Sequence, residues 1–227
     1  MKTKAASPTS AQFAAYEQMF AYFNVRLFGG ALPPVLLNFS RHAKAYGFFA
    51  PERWEKGKEV KHEISLNPSH LRSRRPIEVA STLVHEMVHL WQQENGKPSR
   101  AGYHNEEWAS KMEGVGLIPS STGEPGGART GQKMTHYIEK GGAFAVAFNT
   151  MPKAYTLPWS CEEPAGTKKP KSEKNKVKYT CPECGANVWG KPELAILCVE
   201  CDEKFEVASP DARSGAGLQD AHRALAL

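Results

Sequence analysis

Apolar and polar positions divide the chain into segments of different period. Over residues 10–28, Phe13, Tyr16, Phe20, Phe23 and Leu27 recur at helical spacing, Ser10 stands where a cap belongs, and Gly29-Gly30 stops the pattern. The period then falls to two. Val35, Leu37 and Phe39 alternate behind Pro33-Pro34, and Tyr46–Phe49 and Val60–Leu66 read as two further strands. Gly57 lies in the turn region between them and Asn67-Pro68 closes the last. Residues 75–96 return to helix, with Pro76 at a first helical position and Asn95-Gly96, followed by Pro98, as the stop. The apolar arc of this helix is wide. Ile77, Val84, Val88 and Trp91 lie on one flank and Ala80, Leu83, Met87 and Leu90 on the other, which predicts burial nearly all round. Residues 101–114 read as a second short helix with Gly114 and Gly116 as stops. Residues 119–127 are rich in turn formers, and Thr135–Ile138 and Ala143–Phe148 then read as strands. The pattern predicts an α+β fold with a small sheet beside one buried helix.

The remaining polar arc of that helix carries His85-Glu86-Met87-Val88-His89. At helical pitch His85 and His89 lie about 40° apart, with Glu86 about 60° beyond His89. Two imidazoles one turn apart can share a Zn²⁺ at about 2.0–2.1 Å, with the carboxylate over the open position. Polar groups on a buried helix must be neutralised inside the protein, and a metal does that. A core histidine pair satisfied by hydrogen bonds is the plain alternative. A catalytic zinc takes three protein ligands and keeps one position open, so the third is expected from residues 101–114, where His104, Glu106 and Glu107 are candidates. Gln92 and Asn95 stand where a metzincin has Gly and His, which excludes that class.

With 227 residues, 41% of them hydrophobic, the chain has room for one domain of ordinary size and a small one. The small one is marked by cysteines. Cys181/Cys184 and Cys198/Cys201 form two Cys-x-x-Cys pairs with thirteen residues between them and Gly185 after the first pair. That is the spacing of a zinc ribbon, in which two knuckles present four thiolates tetrahedrally; a redox dithiol would need only one pair. His136 reads as a packed or solvated histidine and Cys161 as an unreactive thiol. Cysteines spent on metal suit a reducing compartment. No apolar run reaches membrane-spanning length, and Met1–Pro8 has no hydrophobic stretch for a signal peptide, so a cytoplasmic protein without a membrane partner is expected.

The formal charge of +5 is unevenly placed. Residues 167–178 hold six Lys (Lys168, Lys169, Lys171, Lys174, Lys176 and Lys178) against one Glu, a net of +5, which equals the excess of the whole chain. Residues 179–207 hold two Lys against six acidic residues, a net of −4, so the ribbon core is a poor surface for phosphates. Contact with DNA, single strands included, is expected from the lysine run and from Arg72, Arg74 and Arg75, which crowd the N-terminal end of the long helix where cations are unfavourable.

Three separated motifs appear in order: Ala21-Tyr-Phe-Asn-Val-Arg-Leu-Phe-Gly-Gly-Ala-Leu-Pro33, Thr82-Leu-Val-His-Glu-Met-Val-His89 and Gly102-Tyr-His-Asn-Glu-Glu-Trp108. Together they resemble the SprT-like (Spartan) metallopeptidase family over roughly residues 10–120. The resemblance implies that the third zinc ligand is His104, from a segment that is Gly-His-Gly-x-x-Phe-like in the family; here Tyr103, Asn105 and Trp108 depart from that pattern. Asn105-Glu106-x-x-x-Ser110 is also similar to a gluzincin ligand helix, which would make the ligand Glu106. The resemblance further implies a zincin-like core, peptide-bond hydrolysis with Glu86 as general base, a ribbon following the protease domain, and substrates that are DNA-bound or DNA-crosslinked proteins. The expected organisation is a metallopeptidase domain over 1–120, a Gly/Pro-rich extension over 121–160, a basic linker over 161–178, the ribbon over 179–207 and a tail over 208–227. One catalytic and one structural zinc are expected. A regulatory peptidase that cleaves a phage or mobile-element repressor, and a non-catalytic nucleic-acid-binding protein with two structural zincs, are the competing readings.

Overall fold

A computed structural model describes residues 7–42, 45–161 and 176–207. The chain divides into two compact units, residues 1–163 and 164–227. Among the described residues there are four α-helices and several small sheets, an α+β arrangement, and no helix is long and apolar enough to cross a membrane.

The first unit opens with α1 (Pro8–Phe28). Its cap is Ser7, whose hydroxyl accepts the Ser10 N–H at 3.2 Å, not Ser10 itself. Pro8 accounts for the difference, because a proline fits the first helical position and starts the helix directly after Ser7. Tyr16, Met19, Phe20 and Phe23 turn inward from α1 into the core.

Three strands follow, β1 (Leu36–Phe39), β2 (Gly47–Lys56) and β3 (Glu59–Leu66). They form a sheet of order β1-β3-β2, with β1 parallel and β2 antiparallel to the central β3. The β2–β3 hairpin is longer than the apolar stretches that mark it. It continues through exposed residues to a turn at Gly57, and its ladder breaks between Ala50 and Trp54, where Pro51 has no N–H to donate. Ile64 and Leu66 of β3 join the core, while Glu63 is buried on the opposite face of the strand. Its carboxylate accepts bonds from Ser65 Oγ and Trp54 Nε1, both at 2.6 Å, and pairs with Arg53 at 3.2 Å, which compensates its burial.

Helix α2 (Pro76–Asn95) packs against β2, β3, α1 and the helix that follows it. Every residue from Val79 to Val88 is buried, as its all-round apolar pattern predicts. Helix and sheet approach closely at Gly47, where an added Cβ would lie 2.9 Å from both the Ser65 carbonyl oxygen and Thr82 Cγ2.

Helix α3 (Glu106–Gly114) begins five residues later than its composition suggests. Asn105 caps it by accepting the Trp108 N–H at 3.0 Å, and Gly102, at φ 72°, holds the preceding turn outside helical geometry. The chain then enters β4 (Leu117–Ser120), which pairs antiparallel with β5 (Thr135–Ile138). The predicted strand at Ala143–Phe148 is a helix, α4 (Ala143–Thr150). Ala-Phe-Ala-Val-Ala-Phe fits both periods because all six residues are apolar, and three alanines in six favour helix. The inward residues Phe144 and Ala147 show the three-residue spacing that results.

In the second unit, β6 (Val177–Thr180) pairs with β7 (Asn187–Gly190) as a hairpin, and β8 (Leu197–Cys198) with β9 (Glu203–Lys204) as another. A last strand, β10 (Glu206–Val207), adds to β6. Tyr179 is its buried centre, with the hydroxyl donating to Lys191 O at 2.7 Å and accepting the Leu194 N–H at 3.0 Å. The predicted tail over 208–227 lies outside the described residues.

The close approach at Gly47 generates a stability prediction. Gly47→Ala should lower unfolding stability by about 1–3 kcal/mol in urea titrations, the usual cost of overpacking a site with backbone on one side. A midpoint equal to that of the unmodified protein would show that the sheet and α2 can separate at no cost.

Candidate active site

Helix α2 supplies His85 and His89, one turn apart, and the segment leading into α3 supplies His104. Their ring centroids are 4.8–5.5 Å apart, and each offers a nitrogen within 4.8 Å of those of the other two. His89 Nε2 and His104 Nε2 are 3.1 Å apart. Two nitrogens held about 2.0–2.1 Å from a tetrahedral Zn²⁺ are about 3.3 Å apart, so the trio is close to a zinc-binding geometry. Glu106 and Glu107 are not in the group. Glu106 is exposed and binds Arg129, and Glu107 accepts the Lys97 N–H at 2.8 Å.

His104 is fastened from two sides. Gln92, one turn beyond His89 on α2, donates to Asn105 Oδ1 and Glu107 Oε2, both at 2.7 Å. On the other side His104 and Gly131 exchange backbone bonds at 2.8 and 3.0 Å. His104 Nδ1 lies 3.1 Å from the Gly131 carbonyl oxygen, which can only accept, so Nδ1 carries the proton and Nε2 faces His89 with its lone pair free. Arg129 anchors this loop to α3 through Glu106, Glu113 at 2.5 and 2.9 Å, and Ser110 at 3.2 Å. Arg129 and Gly131 carry no motif in the sequence, and Gln92 is read there only as evidence against a metzincin.

Trp108 closes the site from α3. It is fully buried, its ring centroid is 4.9, 5.4 and 4.3 Å from those of His85, His89 and His104, and its indole N–H has no hydrogen-bond partner among the described residues. Trp108 therefore packs its ring directly against all three imidazoles. Burial, reinforced by the charges of His89, His136 and His104, pushes the His85 pKa well below the histidine range, and burial next to His104 lowers that of His89 to about 3. Burial also lowers His104, partly opposed by its bond to Gly131. All three are neutral near pH 7, the form that ligates metals. Glu86 follows His85 on α2 and is 6% exposed. Burial raises its pKa to about 8, against the backbone N–H of Phe49, which favours the carboxylate. A cation among the imidazoles would push it back toward the ionised form.

His136, which the sequence leaves as a packed or solvated residue, stands on β5 directly against His85. The two Nδ1 atoms are 3.2 Å apart, and His136 Nε2 is 2.9 Å from Ser81 Oγ. Burial first, then the charge of Arg74, lowers its pKa to about 4.

In the second unit Cys181, Cys184, Cys198 and Cys201 bring their Sγ atoms within 4.8 Å of one another, with Cys184 and Cys198 at 3.8 Å. Thiolates about 2.3 Å from a tetrahedral zinc are about 3.8 Å apart. The Gly185 N–H bonds back to Cys181 O at 3.0 Å with Gly185 at φ 71°, a turn that returns both sulfurs of the first pair to one point. Both sets of donors therefore suit a metal such as zinc. The residues expected to meet DNA divide differently. Arg74 is engaged within the fold, bonding Thr82 Oγ1 at 2.9 Å and Glu78 O at 2.8 Å and stacking 4.2 Å from the Tyr46 ring. Arg75 pairs with Glu78 at 2.8 Å, and the Arg72 N–H donates to Cys161 O at 3.3 Å. Glu78 and the Tyr46 ring thus offset the cations at the α2 N-terminus from within the protein. Lys176 and Lys178 are exposed; Lys168, Lys169, Lys171 and Lys174 lie outside the described residues.

The geometry separates the two candidate third ligands. His104→Ala should lower metal occupancy of the helical site in dialysed protein, whereas Glu106→Ala, which removes only an exposed ion pair, should retain it with a stability change of about 1 kcal/mol or less. Metal analysis of the two variants with the four cysteines intact checks this, and the reverse pattern would transfer the ligand to Glu106.

A search of curated proteins returned no match. The model of the SprT-like family matches residues 16–125. The match takes in α2, α3, His85, Glu86, His89 and His104, and stops before Arg129, Gly131, His136 and the four-cysteine unit. Residues 16–125, just under half of the chain, are thus similar to the SprT-like family, a family of metallopeptidase type.

Proposed function

We propose that the chain is a zinc-dependent metalloendopeptidase with a zincin-like core and a separate structural zinc ribbon. One observation carries the reading: three neutral imidazoles converge from α2 and the α3 entry, with a buried carboxylate one residue from the first of them. His85, His89 and His104 would hold the catalytic zinc, and Cys181, Cys184, Cys198 and Cys201 the structural one. When bound, the catalytic zinc supplies Lewis-acid polarisation of the scissile carbonyl and acidification of water. Glu86 takes a proton from the attacking water and delivers it to the leaving amine nitrogen as the C–N bond breaks. Trp108 packs against the imidazoles from α3, and Gln92, Asn105 and Gly131 hold His104 in place. A purely structural role is disfavoured because only three metal-ligating side chains gather there among the described residues, which leaves a tetrahedral ion one open position.

Glu86→Gln is nearly isosteric and leaves the three imidazoles untouched. It should keep metal content and fold and lose about 10²-fold or more in peptide cleavage, the scale of an acid–base group. Cleavage within a few-fold of the unmodified enzyme would sink this mechanism.

We further propose DNA as a partner and DNA-associated or DNA-crosslinked proteins as substrates, supported by the net +5 of residues 167–178 and by the family to which residues 16–125 are similar. The lysine run, and not the acidic ribbon, would carry this affinity. Changing its six lysines to Gln should weaken single-stranded DNA binding strongly and flatten the slope of log K against log salt, by about 0.7 for each phosphate that is no longer neutralised. Deleting the chain from residue 179 onward should weaken binding much less. Ribbon deletion that abolishes binding while the Lys→Gln protein binds normally would point instead to base stacking on exposed rings such as Trp189.

A further inference from the structure

An imidazole that ligates through Nε2 must keep its proton on Nδ1, and something must accept that proton's hydrogen bond. For His104 the acceptor is the Gly131 carbonyl oxygen. For His85 no carbonyl or carboxylate is in place among the described residues; the group against Nδ1 is another imidazole, His136, at 3.2 Å. Two imidazoles can face each other in either polarity, so the next link decides. His136 Nε2 is 2.9 Å from Ser81 Oγ, and Ser81 Oγ is 3.0 Å from the Glu78 carbonyl oxygen, one turn back on α2. A carbonyl oxygen can only accept, so the Ser81 hydroxyl donates to Glu78 and accepts from His136 Nε2–H. His136 then has a bare Nδ1 that accepts from His85 Nδ1–H, and His85 is left with a bare Nε2 for the three-imidazole group. The opposite polarity would place a proton on His85 Nε2 and block ligation.

We propose that His136 is a positioning residue of the metal site, which fixes the tautomer and ring orientation of His85 through the chain Glu78 C=O, Ser81, His136, His85. The proposal rests on the metallopeptidase reading above. It gives β5 a purpose in the site: pairing of His136 with Pro119 on β4 brings it against α2 from a segment beyond the family match at residue 125. It also accounts for a polar Ser81 that is buried at 2% exposure on the same helix. His136 is not a fourth ligand, since both of its nitrogens are committed to the chain.

The test uses the full-length protein. Cobalt at the three-imidazole site lacks the thiolate charge-transfer band of the four-cysteine site, so affinity at the helical site can be read separately by competition with a chelator. His136→Phe keeps an aromatic ring but removes the acceptor, and should weaken metal binding there about 10–100-fold, the usual effect of removing such a partner. His136→Gln, which offers an amide oxygen to His85 and an amide N–H to Ser81, should recover most of that deficit. Ser81→Ala, a small change that leaves His136 free to take either polarity, should weaken binding in the same direction and keeps the test open if His136→Phe does not fold. Nitrogen-15 spectra of the zinc-loaded protein should show His85 protonated at Nδ1 with a slowly exchanging, hydrogen-bonded proton that disappears in His136→Phe. Unchanged affinity and an unchanged His85 proton in folded His136→Phe would overturn this inference alone. Failure of the unmodified chain to bind metal through His85 would overturn the metallopeptidase reading, and this inference with it.

Discussion

The site depends on the burial of α2. A helix with ten consecutive buried residues from Val79 to Val88 has no solvated face on which polar groups can rest. Ser81, Thr82, His85 and Glu86 lie within that run, and each has to find a partner inside the protein. Ser81 and Thr82 bond back to the Glu78 carbonyl oxygen at 3.0 and 3.2 Å, and Glu86 meets the β2 backbone at Phe49. The imidazoles have no such local answer. They are met by His104, His136 and Trp108, each from an element that follows α2 in sequence, so α3 and the β4–β5 hairpin act as the enclosure that the polar arc of α2 requires. Neutral imidazoles with lone pairs converging on one point are unfavourable without a cation, and this is the physical argument for a metal there.

This dependence explains which parts of the site were legible in the sequence. His85, Glu86 and His89 share one helix, and helical geometry alone places them together. So does the all-round apolar pattern that predicts burial of Pro76–Asn95. The four cysteines are equally legible, because Cys-x-x-Cys fixes the turn that joins each pair. His104 is harder, since its position depends on bonds that span 13 residues from Gln92 to Asn105, 15 from Gln92 to Glu107 and 27 from His104 to Gly131. Spacing leaves Glu106 and Glu107 as candidates beside His104; in the structure Arg129 claims Glu106 and the Lys97 N–H claims Glu107. His136 was placed on a strand but not at the site: its contact with His85 depends on a strand register, Pro119 against His136, that no local pattern encodes.

Where sequence pattern and structure differ, the common cause is local ambiguity resolved by neighbours. Ala143–Phe148 alternates as well as it winds, and the choice goes to helix with Phe144 stacked 5.5 Å from Phe23 of α1 and its N–H bonded to the Val115 carbonyl oxygen. The α3 start moves to Glu106 because Asn105 is a better cap than anything in Ala101–His104. The outer half of β2 is polar and exposed on both faces, so no hydrophobic period announces it; only its pairing with β3 makes it a strand.

The family match and the site have different boundaries. Among the described residues, 16–125 contain His85, Glu86, His89 and His104, and none of the β5 or Gly131 groups that lie against the Nδ1 atoms of His85 and His104. On the proposed reading the reacting groups would come from the segment matched by the family model, and part of their orientation from residues that follow it. The tautomer of an imidazole is set by the hydrogen bond on its far nitrogen, so an acceptor need only reach the back of the ring and any chain segment able to do so can serve. Residues 129–136 do this twice by different chemistry, a backbone carbonyl for His104 and an imidazole relay for His85, and in both cases the proton is held on Nδ1 and the lone pair is directed to the same point.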